Sequence, residues 1–136
     1  MALFDWKDDY SVGVYKLDRD HKKLFGFVNK LHEAMKAGQA ASAAEGIIKE
    51  LLDYTKYHFG EEEKLMEGIN YPGLPTHKNT HKMFLTEIEK LKLEAENGMA
   101  IFVTVKLVNT AIDWLKNHIL LMDKKYQAEM NANGIK

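Results

Sequence analysis

The chain contains no cysteine. That absence removes disulfide scaffolds, thiolate zinc sites, iron–sulfur clusters and thiol catalysis together. Proline is almost missing too. Only Pro72 and Pro75 occur, close together, so the chain on either side is free to be helical. Neither charge sign dominates: 19 Lys and Arg face 20 Asp and Glu, a formal net charge of −1. Such a balance offers no basic face for nucleic acid. No apolar run approaches the roughly 18 residues of a membrane span. The stretch Met1-Ala2-Leu3-Phe4-Asp5-Trp6-Lys7 has neither the basic nor the apolar region of a secretory signal. The expectation is a soluble, cytoplasmic protein with one domain over its 136 residues. A hydrophobic fraction of 46% with 29% charged residues argues against disorder. The six histidines are left to explain.

Helical periodicity fills the chain. Leu24, Val28, Leu31 and Met35 share one face, as do Phe84, Ile88 and Leu91, and Val108, Ala111, Leu115 and Ile119. Punctuation sets the boundaries. Gly38 closes a first helix that starts near Asp18 or Arg19. Asn70-Tyr71-Pro72-Gly73-Leu74-Pro75 is a loop, Thr76 is a candidate N-cap, and Asn97-Gly98 is a stop. The expected helices are therefore about 19–37, 41–66, 76–97 and 101–131. Residues 1–17 carry Trp6, Tyr10, Val12, Val14, Tyr15 and Leu17 and read as an arm packed on the helices. Short turns between four helices predict an all-α, up-down-up-down antiparallel four-helix bundle.

Three pairs of metal-type donors stand at helical spacing: His58 with Glu62, His77 with His81, and His118 with Asp123. His21 stands alone on the first helix. Any one pair is weak evidence among six histidines. Their heights in the bundle are not. His21 is 17 residues before Gly38, His58 is 18 after Ala40, His81 is 17 before Gly98, and His118 is 18 after Ala100. At about 1.5 Å per residue all four helices place a histidine roughly 26 Å from the same end. A buried layer of imidazoles and carboxylates is costly unless something binds it, and a metal is the natural partner. Seven donors exceed one octahedral ion. If both carboxylates bridge and a solvent oxygen completes the bridge, five histidines split three and two give one saturated and one open metal. Mixed nitrogen and oxygen donors at that number favour iron over tetrahedral zinc. Asp123, five residues after His118, lies roughly 140° around an ideal helix from it, so it either reaches sideways or sits beyond a π-bulge.

The segments Asp18-Arg19-Asp20-His21, His58-Phe59-Gly60-Glu61-Glu62, His77-Lys78-Asn79-Thr80-His81 and Trp114 through Asp123, with Trp6 and Val12-Gly13-Val14 ahead of them, resemble the hemerythrin family in its single-domain bacterial form. The resemblance covers essentially the whole chain and includes the five-residue step from His118 to Asp123. It implies two irons with an oxo or hydroxo bridge and reversible binding of O₂ for storage, transport or delivery to an oxygen-consuming enzyme. It assigns His77, His81 and His118 to one iron, His21 and His58 to the iron with the open position, and Glu62 and Asp123 to both. No catalytic residue is implied. Leu24, Phe59, Trp114, Ile119 and Leu120 are candidates for the wall of an O₂ pocket, Leu120 first among them. Tyr126, one turn after Asp123, either bonds a bridging carboxylate or sits at the rim. His32 reads as an ordinary partly buried histidine, and Glu61 and Glu63 as solvated helix surface. The alternatives are a di-iron oxidase or peroxidase-like enzyme and an O₂ or redox sensor using the same centre. No Glu lies three residues before any histidine, which sets the chain apart from carboxylate-rich di-iron enzymes.

Overall fold

Apolar side chains recur every three or four residues along each long helix, and those stripes are the buried ones. Leu17, Leu24, Val28 and Leu31 are covered on the first helix, Ile48, Leu51 and Leu52 on the second. Phe84, Ile88 and Leu91 are covered on the third, Leu107, Val108, Ala111 and Leu115 on the fourth. In the structure, a computed structural model, residues 4–38 and 40–136 are described, without the side chains of residues 40–43 and 99–101. The helices are α1 (Tyr15–Lys36), α2 (Ala40–Gly68), α3 (Leu74–Glu94), α4 (Ala100–Leu121) and a short α5 (Gln127–Ala132). Packing runs α1 on α2, α2 on α3, α3 on α4 and α4 back on α1, a closed four-helix bundle. Among the described residues no helix is long and apolar enough to cross a membrane.

Several ends differ from the sequence expectation. The first helix begins at Tyr15, one turn before Asp18. Asp18 lies inside it and reaches backwards, where its carboxylate accepts the Val12 N–H at 2.8 Å and the Ser11 hydroxyl. A capping-type residue therefore works one turn into the helix, holding the incoming chain. Thr76 is not an N-cap either. Gly73 stands there, and Pro75 occupies the first turn of α3, where its missing N–H costs nothing. The third helix runs through Glu94 into a widened π-type turn, Ala95–Met99, that reverses at Gly98 with φ +91°. The last helix does not continue to residue 131. It stops at Leu121, a tight 3-10 turn spans Asp123–Tyr126, and α5 follows.

Besides the Asp18 contacts, two further ties hold the arm. Phe4 is buried and stacks on Phe25 at 3.8 Å between ring centroids. Its backbone is gripped from both sides by Asn29, whose Oδ1 accepts the Phe4 N–H at 2.8 Å and whose Nδ2 donates to the Phe4 carbonyl at 2.9 Å. Of the expected arm, residues 1–3 lie outside the described residues. Gly13 supplies the second tie. Its φ is +70°, its carbonyl accepts from Asn131 Nδ2 at 3.0 Å, and a Cβ there would stand 2.4 Å from Gln127 Nε2. Arm and C-terminal turn thus close over one end of the bundle together. Gly13→Ala is expected to destabilise the protein by about 1–2 kcal/mol through the left-handed backbone alone, more if Gln127 cannot move aside. Denaturant unfolding of the variant against the wild type measures it.

Candidate metal centre

The bundle brings the seven sequence-predicted donors together. His21 comes from α1, His58 and Glu62 from α2, His77 and His81 from α3, and His118 from α4, with Asp123 on the turn after it. All seven are buried. Their donor atoms form two overlapping groups that share Glu62. One is Glu62, His77, His81, His118 and Asp123, and the other is His21, His58 and Glu62.

Distances inside the cluster resemble those around a shared cation. His77 Nε2 lies 3.0 Å from Glu62 Oε1 and 2.8 Å from Asp123 Oδ1. His81 Nε2 is 3.0 Å from Glu62 Oε1, and His118 Nε2 is 2.9 Å from Asp123 Oδ1. On the other side His58 Nε2 is 3.3 Å from Glu62 Oε2, and His21 Nε2 is 3.2 Å from Asp123 Oδ2. The nitrogens also crowd one another. His118 Nε2 is 3.1 Å from both His81 Nε2 and His77 Nε2. Two ligands at right angles on a metal with bonds near 2.1 Å would sit about 3 Å apart. A neutral imidazole has one N–H, and His81 points its Nδ1 at Glu63, 2.8 Å away. Its Nε2 therefore presents a lone pair to its neighbours, an arrangement that needs a cation. Several close approaches lack hydrogen-bond angles altogether. Both nitrogens of His21 and Oδ1 of Asp123 are buried with no hydrogen-bond partner among the described residues. Those orphaned atoms fit a metal and fit little else.

Helix termination answers the spacing problem of Asp123. Neither a sideways reach along α4 nor a π-bulge is used. The Met122 N–H still bonds the His118 carbonyl at 2.8 Å, and the backbone then turns, so Asp123 begins a new, tighter segment aimed inward. Lys124 and Lys125 of that turn face solvent.

Comparison with known proteins bears on this arrangement directly. Residues 12–129 match the profile of the Hemerythrin HHE cation binding domain. A bacteriohemerythrin of Stenotrophomonas maltophilia is 34% identical over 133 residues, covering 98% of this chain and 85% of the relative. One from Clostridium acetobutylicum is 32% identical over 127 residues, covering 91% and 98%. The chain belongs to the hemerythrin family. A crystal structure of wild-type hemerythrin superposes with a TM-score of 0.83 at 30% identity, covering 93% of this chain and 97% of that one. The hemerythrin fold is thus present across the chain, with a buried His, Glu and Asp cluster in its core.

The surroundings of the hemerythrin cluster differ between its two halves. Phe59 stacks on His81 at 3.7 Å, Trp114 on His118 at 4.2 Å, and Tyr126 lies against His77 at 5.8 Å. Phe59 and Trp114, expected at a pocket wall, thus back the three-histidine half. Along α1 from His21 both Leu24 and Phe25 are buried, and the His58 ring lies 4.6 Å from the His21 ring. Leu24, one turn along α1, and Ile119, next to His118, are fully covered. Leu120 departs from the expectation of a buried wall: it is 38% exposed. At about 100° per residue it lies some 200° from His118, on the outer side of α4. Leu115, three residues before His118, has the inward phase and is buried, a signal readable from spacing that the sequence reading did not use for the site.

Tyr126 is wholly buried, and its hydroxyl donates to Glu62 Oε2 at 2.8 Å. Burial, with the charges of Glu62 and Asp123 beside it, pushes that phenol well above its ordinary range. Two further residues were not singled out from the sequence. Asp20 lies 3.1 Å from Nδ1 of His58, and Glu63, expected on the solvated surface, meets His81. His32 stands apart from the cluster.

In the metal-free protein protons take the cation's place. Burial opposes a charged His21, but Asp123 and Glu62 outweigh it and push its pKa up to about 10. The same balance, with Asp123 and Glu62 again against burial, raises His77 to about 9. Against desolvation, the surrounding histidines hold Glu62 and Asp123 below the usual carboxylate range. The histidine values lie above the ordinary 6.5 of an unfolded chain, so their stabilisation is complete below that pH and lost as pH rises through the folded values. Metal-free protein should therefore lose stability on going from about pH 6.5 to pH 10, while metal-loaded protein should not. Denaturant unfolding of both forms across that range checks this. Metal uptake at pH 8 should also release protons, measurable in weak buffer.

Proposed function

We propose that the cluster holds two iron ions and that the protein binds O₂ reversibly, as a carrier or store rather than a catalyst. The carrying observation is the convergence of five imidazoles and two carboxylates with unpartnered buried donor atoms in a chain of the hemerythrin family. His77, His81 and His118 would hold one iron, His21 and His58 the other, with Glu62 and Asp123 reaching both. An iron pair bound there supplies the electrons for reversible O₂ binding, which no side chain of this protein can provide.

What the chain contributes is geometry and dryness. Tyr126 and the helical frame fix Glu62 between the two groups. Aromatic rings stack on His81 and His118 and hold their planes on the three-histidine half. Beside His21 on α1, the buried Leu24 side chain has no proton to give. O₂ taken up at such a centre would leave again as O₂ only where protons are withheld, so an apolar neighbour favours binding over turnover. The nitrogen-rich donor set, five imidazoles to two carboxylates, points the same way.

The test is an absorption spectrum with metal analysis. Reduced protein should contain about two irons per chain, gain a visible band in air, and lose it again under argon over repeated cycles. Continuous O₂ consumption with a reductant, and no reversible band, would replace the carrier by an oxidase. Leu24→Ala opens the lining beside His21. It should lower stability by about 2–5 kcal/mol and speed spontaneous oxidation severalfold while iron content stays at two. His32→Ala should change neither iron content nor spectrum.

A further inference from the structure

Two carboxylates outside the converging seven reach the far nitrogens of candidate ligands. Asp20, on α1, meets His58 Nδ1 at 3.1 Å, and Glu63, on α2, meets His81 Nδ1 at 2.8 Å. The histidines they touch belong to different metal groups. We propose that Asp20 and Glu63 are positioning residues, each committing its histidine to the tautomer with Nδ1–H outward and the Nε2 lone pair facing the cluster, and that Asp20 is the stronger of the two. This rests on the di-iron reading above.

The argument is one of donors and acceptors. A neutral imidazole carries one proton on one of two nitrogens, and only the bare nitrogen can bind a metal. An ionised carboxylate only accepts, so it selects the Nδ1–H form and sets the plane of the ring. Asp20 is suited to remain such an acceptor. It is 2% exposed and receives two donors besides His58: Lys16 Nζ at 3.0 Å and the Tyr54 hydroxyl at 2.9 Å. Lys16 comes from α1 and Tyr54 from α2, so the two helices that carry His21 and His58 jointly fix this carboxylate. Glu63 has one more rotatable bond, its side chain is 24% exposed, and His81 is its one partner among the described residues. Water screening and side-chain entropy therefore weaken its hold.

Asp20→Asn is the informative change because it keeps the shape and alters the donor count. Three donors converge on position 20, and an amide accepts at one end only. If its NH₂ faces His58, the ring must accept at Nδ1 and place Nε2–H in the cluster. If its oxygen faces His58 it faces Lys16 too, since both meet the same oxygen, Oδ2; the NH₂ then meets the Tyr54 hydroxyl, and His58 keeps its tautomer but loses its charged acceptor. Glu63→Gln makes the parallel change at the exposed partner.

The experiment is an anaerobic ferrous iron titration against a competing chelator, with the thermal unfolding of each metal-free protein recorded alongside. Wild-type protein taking up fewer than two irons would defeat the di-iron reading itself. With two bound, Asp20→Asn should weaken one of them by about 10–100-fold and leave the other within about threefold. Glu63→Gln should cost one iron less than about tenfold. A merely structural role would lower the metal-free melting temperature and loosen both irons together, and that outcome overturns the proposal. So does wild-type affinity for both irons in Asp20→Asn. Should Asp20→Asn fail to fold, Tyr54→Phe carries the test. It leaves the carboxylate in place but removes one of its donors, so more of its charge falls on His58. One exchangeable imidazole N–H resonance of the ferrous protein should then shift while the others stay. An unmoved spectrum in Tyr54→Phe overturns the proposal.

Discussion

Five imidazoles and two carboxylates share one dry layer of this bundle, and the rest of the structure is arranged around that constraint. Two buried anions with lone-pair nitrogens aimed at one another are unstable by themselves, because the low dielectric that strengthens attraction also magnifies every uncompensated charge. Positive charge has to enter the layer. Protons supply it in the metal-free protein, which explains why His21 and His77 hold theirs far above the usual histidine range. A bound cation would supply it instead, and the same residues would then couple folding to metal content and to pH.

The layer is held open by rigid neighbours rather than by the ligands themselves. Each histidine of the α3–α4 half lies against an aromatic ring: Phe59 against His81, Trp114 against His118, Tyr126 against His77. Phe84 extends the stack on Trp114 at 4.0 Å. The α1–α2 half is organised by polar contacts instead, with Asp20 linking His58, Lys16 and Tyr54. Ring packing thus dominates on the α3–α4 half, where Glu63 adds one contact to His81, and hydrogen bonds dominate on the other.

The chain's two ends serve the same layer from outside. Gly13 and Asn131 join the arm to α5, and α5 follows the tight turn that carries Asp123 and Tyr126. Both residues that approach Glu62 and His21 from this end are therefore steadied by contacts more than one hundred residues apart in sequence. The Asn29 grip on Phe4 does comparable work further along α1.

By itself the sequence determined the number of long helices, their antiparallel order and the common height of the histidines. Those follow from periodicity, punctuation and a constant rise per residue, which are local quantities. Tyr126 could be placed near the cluster but not at Glu62, and Asp123 could be named without its route inward, because helix termination at Leu121 answers to packing that no spacing rule contains. Asp18 read as a helix start because its residue type favours caps, yet tertiary contacts with residues 11 and 12 moved the start to Tyr15. Leu120 is turned outward by the helix phase that buries Leu115 and Ile119. Asp20 and Glu63 were beyond reach for a different reason. Each acts on a histidine of a neighbouring helix, 38 and 18 positions away, so only the assembled bundle decides which nitrogen each carboxylate meets.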